Sequence, residues 1–125
     1  MATKIVFDHE QETAFIKRTG HIDPGEMLRG TEDLISNPLF KSMRKSLSDV
    51  STADFSDIPT KEFEAHAEYC STVLKGLFVA IFAPDDLSFG ISRRFETLSN
   101  KRNTLVTRDI QKALSWLDVT LPEAF

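Results

Sequence analysis

His66 and Cys70 stand four residues apart, a spacing that lets two side chains meet on one face of a helix. A thiol beside an imidazole is the beginning of a cysteine nucleophile with its base. No third group that would orient the base is evident, however, and Cys70 falls on an apolar stripe with Phe63, Ala67 and Leu74. Cysteines on such stripes act as small hydrophobes, so the pair reads as core. A second set is acidic: Asp49, Asp54, Asp57, Asp85 and Asp86. Carboxylates suit hard divalent cations, but these do not have the spacing of a metal loop, and Asp85 and Asp109 sit where helix caps belong. The third set, Ser88-Phe89-Gly90, opens a helix and would offer backbone amides to an anion, with Arg93 or Arg94 adding charge. A lone glycine is not a phosphate-loop pattern. His9 and His21 have no zinc-ligand spacing. No catalytic residue, metal site or cofactor is therefore expected.

The elements that must position these residues are legible in the hydrophobic pattern. Lys4 to Phe7 and Thr13 to Lys17 read as an antiparallel hairpin, and Gly20 closes its second strand. Asp23-Pro24-Gly25-Glu26 starts a helix, with Asp23 as cap and Ile22 and Met27 spaced as a hydrophobic staple. That helix turns Met27, Leu28, Thr31, Leu34 and Ile35 inward and stops at Asn37-Pro38. A short strand is expected over Ser46 to Val50, followed by a polar loop to Pro59 and a helix from Thr60 to Leu74. Leu77 to Phe82 is continuously apolar, as in a strand covered on both faces. A helix from the Pro84-Asp85-Asp86 stop to about Asn100 carries Leu87, Ile91, Phe95 and Leu98 inward. Thr104 to Thr107 is a last strand, and Asp109 caps a final helix with Ile110, Ala113, Leu114 and Leu117 on one face. The order is ββαβαβαβα, an α/β class with a mixed sheet.

The totals fit one domain. The chain has 125 residues, 41% hydrophobic and 27% charged, enough for one core and neither disordered nor membrane-spanning in composition. Its longest apolar run, Leu77 to Ala83, is too short for a transmembrane segment. The net charge of -4 argues against nucleic acid as a partner. One cysteine and no apolar signal core after Met1-Ala2-Thr3-Lys4 suggest a cytoplasmic location. The clusters Lys41, Arg44, Lys45 and Lys101-Arg102 read as solvated loop charges.

Several local phrases, in this order, resemble the SpoIIAA-like proteins of the STAS/SEC14 superfamily. They are Asn37-Pro38-Leu39-Phe40, Ser48-Asp49-Val50-Ser51, Ala80-Ile81-Phe82-Ala83-Pro84, Phe89-Gly90-Ile91-Ser92-Arg93-Arg94-Phe95-Glu96-Thr97-Leu98, and Val106-Thr107-Arg108-Asp109 followed by Ala113-Leu114-Ser115-Trp116-Leu117. The resemblance implies a mixed sheet of four to five strands with helices mainly on one face. Among such relatives are anti-sigma-factor antagonists, switched by phosphorylation of a serine at the start of the second helix, and SEC14-type lipid carriers. The corresponding stretch here is Asp57-Ile58-Pro59-Thr60, which has neither the switch serine nor the glycine after it. Ser51, Ser56 and Thr60 are the nearby hydroxyls open to modification.

Three functions follow as expectations. The first is a non-catalytic module that binds or regulates a protein partner, or pairs with a second copy, Trp116 and the apolar tail up to Phe125 being possible contacts. The second is a carrier of a small apolar ligand or lipid, in an enclosed pocket of roughly a few hundred Å³ between sheet and helices, lined by such residues as Phe63, Phe78, Phe82, Phe89 and Phe95. The third, an enzyme using the acidic edge, ranks last. Because open α/β sheets bind beyond the carboxyl ends of parallel strands, the ligand- or partner-binding candidates are Asp49, Ser51, Ser56, Asp85, Asp86, Ser88, Phe89, Gly90, Arg93 and Arg108.

Overall fold

A computed structural model describes residues 3–98, 103–123 and 125. Five strands form one sheet in sequential order: β1 (Thr3–Asp8), β2 (Thr13–His21), β3 (Lys45–Asp54), β4 (Phe78–Phe82) and β5 (Thr104–Thr107). Only β1 and β2 run antiparallel; the other three pairings are parallel. The helices are α1 (Pro24–Ser36), α2 (Thr60–Val73), α3 (Asp86–Leu98) and α4 (Ile110–Leu117), with a 3-10 turn over Pro38–Ser42.

Strand alternation divides the core into two layers. On one face Ile16, Val50, Val79, Ile81 and Val106 meet Met27 and Leu34 of α1, Phe63 of α2, and Ile91 and Phe95 of α3. On the other, Phe15, Leu47 and Ala80 meet Ala113, Leu114 and Leu117 of α4. Three helices thus cover one face and α4 the other, so the helices lie mainly on one face. The tail joins α4: Phe125 packs on Phe15 with ring centroids 5.7 Å apart, and Lys17 Nζ sits 5.2 Å from the same ring.

The caps fall where the sequence places them. Asp23 Oδ1 accepts from Glu26 N at 2.8 Å, Asp85 Oδ1 from Ser88 N at 2.8 Å, and Asp109 Oδ1 from Gln111 N at 2.9 Å. These bonds satisfy first-turn amides of α1, α3 and α4 that have no partner within the helix.

Two expectations need correction. The third strand is twice the expected length, because β2 continues through Gly20 (φ +74°) to His21 and supplies backbone partners as far as Asp54. Pairing overrides the polar character of Ser51–Asp54, and the loop shrinks to residues 55–59. Second, Leu28, Leu87 and Leu98 are exposed. In α3 the buried face is turned toward Ser88 and Ser92, with Ile91 and Phe95 beside them at helical spacing. The expected end of this helix near Asn100 lies outside the described residues.

Candidate functional site

The loops beyond β4 and β5 do meet. Arg108 Nη1 donates to the Pro84 carbonyl at 3.2 Å and pairs with Asp86 at 2.8 Å, and its guanidinium lies 4.4 Å over the Phe89 ring. Arg93 reaches the same ring at 5.9 Å while pairing with Glu96. Asp85 and Ser88 are joined by the cap, and its amide hydrogen bond holds the Asp85 carboxyl below the usual range. Ser88 is buried and Gly90 exposed. The Ser88 amide at the start of α3 is therefore already taken by the Asp85 carboxylate, with a second carboxylate, Asp86, next in the chain.

The candidates on and just after β3 make their own local hydrogen bonds. Ser51 N and Oγ donate to Asp49 Oδ1 at 2.9 and 2.6 Å. Ser56 N donates to Asp54 Oδ1 at 2.9 Å. His21 lies between Asp54 (3.6 Å) and Asp57 (3.3 Å). Among the described residues, no group of three or more His, Cys, Asp or Glu side chains is arranged to hold a metal ion. The basic Arg44 pairs with Glu12, and Lys101-Arg102 lie outside the described residues.

His66 and Cys70 do meet, with Nε2 and Sγ 3.4 Å apart. Burial, with Arg18 nearby, pushes His66 down to about 4, and burial pushes the Cys70 thiol up to about 11. At neutral pH both are uncharged, the opposite of an activated thiolate.

The pair lines a chamber of about 90 Å³ between the sheet and α1, α2 and α3, smaller than the roughly few hundred Å³ expected of a carrier pocket. Its apolar wall includes Ile16, Met27, Leu34, Val50, Phe63, Val79, Ile81 and Phe95. Its polar wall is Arg18, Thr31, His66, Ser46, Ser48 and Ser92. A second cavity of about 70 Å³, bounded by Ile58, Thr60 and Arg94, shares Phe55, Phe63 and Ile91 with the first. Of the five phenylalanines expected to line a pocket, Phe63 and Phe95 do. Phe78 and Phe82 share the α4 side of the sheet with Ala80, and Phe89 lies beneath Arg108.

Arg18 is the group the sequence reading passed over. It lies on β2 at two-residue spacing from Ala14 and Ile16, so it shares their helix-facing side. Opposite it, one residue of β2 faces two of β3: Lys17 pairs with Asp49 and Thr19 with Thr52. This is a β-bulge at Val50-Ser51, a device that re-aims side chains. The Asp49–Ser51 bonds brace the bulge. Arg18 Nη1 donates to the Met27 carbonyl at 3.4 Å and Nη2 to Thr31 Oγ1 at 3.3 Å. Thr31 Oγ1 is also 3.2 Å from His66 Nε2. Among the described residues Arg18 has no carboxylate partner. Burial lowers its pKa, though a guanidinium stays charged at neutral pH.

A charge on an apolar strand face was the signal available in the sequence. The readable period of β2 stopped at Lys17, one residue short.

No family model and no curated protein matches this chain. A solved structure does: an uncharacterised DUF3478-family protein with a SpoIIAA-like fold from Shewanella loihica. It is 18% identical, the alignment covers 93% of each chain, and the TM-score is 0.66. The chain thus has a SpoIIAA-like α/β fold. No described helix is long and apolar enough to cross a membrane.

Proposed function

We propose that this domain is a non-catalytic binding module whose chamber takes a small ligand with an apolar body. The carrying observation is the composition of the chamber wall. Apolar side chains surround a guanidinium without a carboxylate partner, and the hydroxyls of Ser46, Ser48 and Ser92 make no side-chain hydrogen bond among the described residues. A cavity that served only as a packing defect would be lined by apolar groups, because buried polar groups are normally paired. The volume, about three waters' share of liquid, suits a ligand of a few heavy atoms. A longer tail would pass Phe55, Phe63 and Ile91 into the second cavity. The SpoIIAA-like fold, and the resemblance to carriers, agree with this reading.

Filling the chamber tests it. Ser92→Leu places three more carbons where Ser92 lines the wall. It is expected to keep stability within about 1.5 kcal/mol, as filling a void offsets crowding. It should weaken binding of hexanoate by at least tenfold in titration calorimetry. Unchanged binding in a folded Ser92→Leu protein would place the ligand elsewhere.

A partner-binding role has its own support. Phe78 and Trp116 are 48% and 40% exposed and meet edge-on, with ring centroids 6.1 Å apart on the α4 side. Exposed aromatics of this kind anchor protein interfaces.

A further inference from the structure

We infer that the chamber's ligand is a monocarboxylate, with its carboxylate on the Arg18 guanidinium beside Thr31 and its tail between the sheet and α2–α3. This rests on the reading of the chamber as a ligand site and adds the chemistry of the head group.

A guanidinium withdrawn from water is costly unless an anion or a full set of acceptors meets it. Arg18 has five N–H donors, and among the described residues its side chain makes two long hydrogen bonds, to Met27 and Thr31. The planar fork suits a carboxylate in bidentate fashion. The backbone is shaped for this side chain on both sides. On β3 the bulge lies opposite Arg18. On α1 Gly30 is buried, and a Cβ there would come within 2.7 Å of Arg18 Nη1 and 2.9 Å of Thr3 Oγ1. Glycine inside a helix costs roughly 1 kcal/mol against alanine, so its presence here makes room for the guanidinium. Among the described residues, Thr3 Oγ1 and His66 Nδ1 are buried without a hydrogen-bond partner, so this corner of the fold holds two unmatched polar atoms.

The count of charges selects the class of anion. Arg18 carries one positive charge. The neighbouring imidazole and thiol are neutral at pH 7. One carboxylate balances that charge, whereas a phosphate monoester, at roughly -1.5 to -2, would leave a buried excess. The rest of the wall is largely apolar, which suits an alkyl tail.

The test is titration calorimetry at pH 7 with hexanoate, palmitate, 1-hexanol and inorganic phosphate as probes. On the unaltered protein, hexanoate should bind about 10- to 100-fold tighter than 1-hexanol, the range of a charge-assisted hydrogen-bonded pair. Arg18→Met should bind the two alike. Gly30→Ala, which improves helix propensity while displacing the guanidinium, should also lose the preference. Tighter binding of hexanoate than palmitate would identify a short-chain acid whose tail the cavities hold and would support the inference; tighter binding of palmitate would put the tail outside them and overturn its placement. Equal binding of hexanoate and 1-hexanol, or displacement of hexanoate by equimolar phosphate, would overturn the head group and leave the chamber reading standing. No binding of any acid or alcohol would overturn both.

Discussion

Replacing Phe15 by alanine is expected to lower the unfolding free energy by about 3–5 kcal/mol, the usual range for a buried aromatic truncated to a methyl group. Phe15 is fully buried at the centre of the sheet's α4 side, among Leu47, Ala80, Leu114 and Leu117, with the Phe125 ring against it. Little around it can collapse, because α4 is held by its Asp109 cap and the tail by paired bonds between Gln11 and Thr120 (2.8 and 2.7 Å). Urea denaturation measures the loss. A cost under 1 kcal/mol would mean that α4 and the tail do not close this layer. Arg18→Met should behave differently, holding stability or raising it, since exchanging a half-buried charge without a carboxylate partner for an apolar chain of similar length removes part of a desolvation penalty. That outcome would set Phe15, which serves the fold, apart from Arg18 on the opposite face, which the fold does not need.

Acidification should destabilise the protein between about pH 6.5 and 4 through His66. The imidazole's folded pKa, about 4, lies below its ordinary value of 6.5, chiefly from burial and then from Arg18's charge. Above pH 6.5 it is neutral in both states. Between 6.5 and 4 the unfolded chain takes up a proton that the folded chain refuses, so stability falls as pH falls. Below about 4 both states are protonated and this contribution levels off. The full loss is about 3 kcal/mol. Thr31 and Cys70 meet the ring's Nε2 and Arg18's charge acts on it, and none of these favours its charged form. His66→Gln should flatten stability across this window in urea titrations at stepped pH. A wild-type profile already flat from 6.5 to 4 would contradict the burial. Asp23, Asp54 and Asp85, whose hydrogen bonds hold them below the usual carboxylate range, act at lower pH, as their stabilisation is lost on protonation.

Much of the fold was readable because local signals agreed with the tertiary arrangement. Asp23-Pro24, Asp85 and Asp109 mark helix starts through side-chain bonds made within three residues. The stripe Phe63, Ala67, Cys70 needs only the helical period. What was misread depends on distant partners. Ser51–Asp54 joins the sheet because β2 runs alongside, and nothing in those four residues asks for it. The buried face of α3 is set by close approach to the sheet, which favours Ser88 and Ser92 over Leu87 and Leu98.

The candidate site was legible only in pieces. The loop beyond β4 did gather Asp86, Phe89 and Arg108, but its charges neutralise one another. His66 and Cys70 were correctly paired and belong to a chamber wall. Arg18 escaped notice because its placement depends on a bulge in the neighbouring strand, and a bulge leaves little trace in a single sequence. Arg18 and its neighbours at the polar wall, Thr31 and His66, come from β2, α1 and α2, elements that only folding brings together.

The chamber is the centre of this account, and methyl NMR with hexanoate tests it most directly. Adding hexanoate to methyl-labelled protein should shift Ile16, Leu34, Val50, Val79, Ile81 and Ile91, which line the chamber. Leu47, Leu114 and Leu117, on the far side of the sheet, should stay in place. Shifts confined to the α4 side, or none at saturating acid, would contradict a ligand site between the sheet and its three helices.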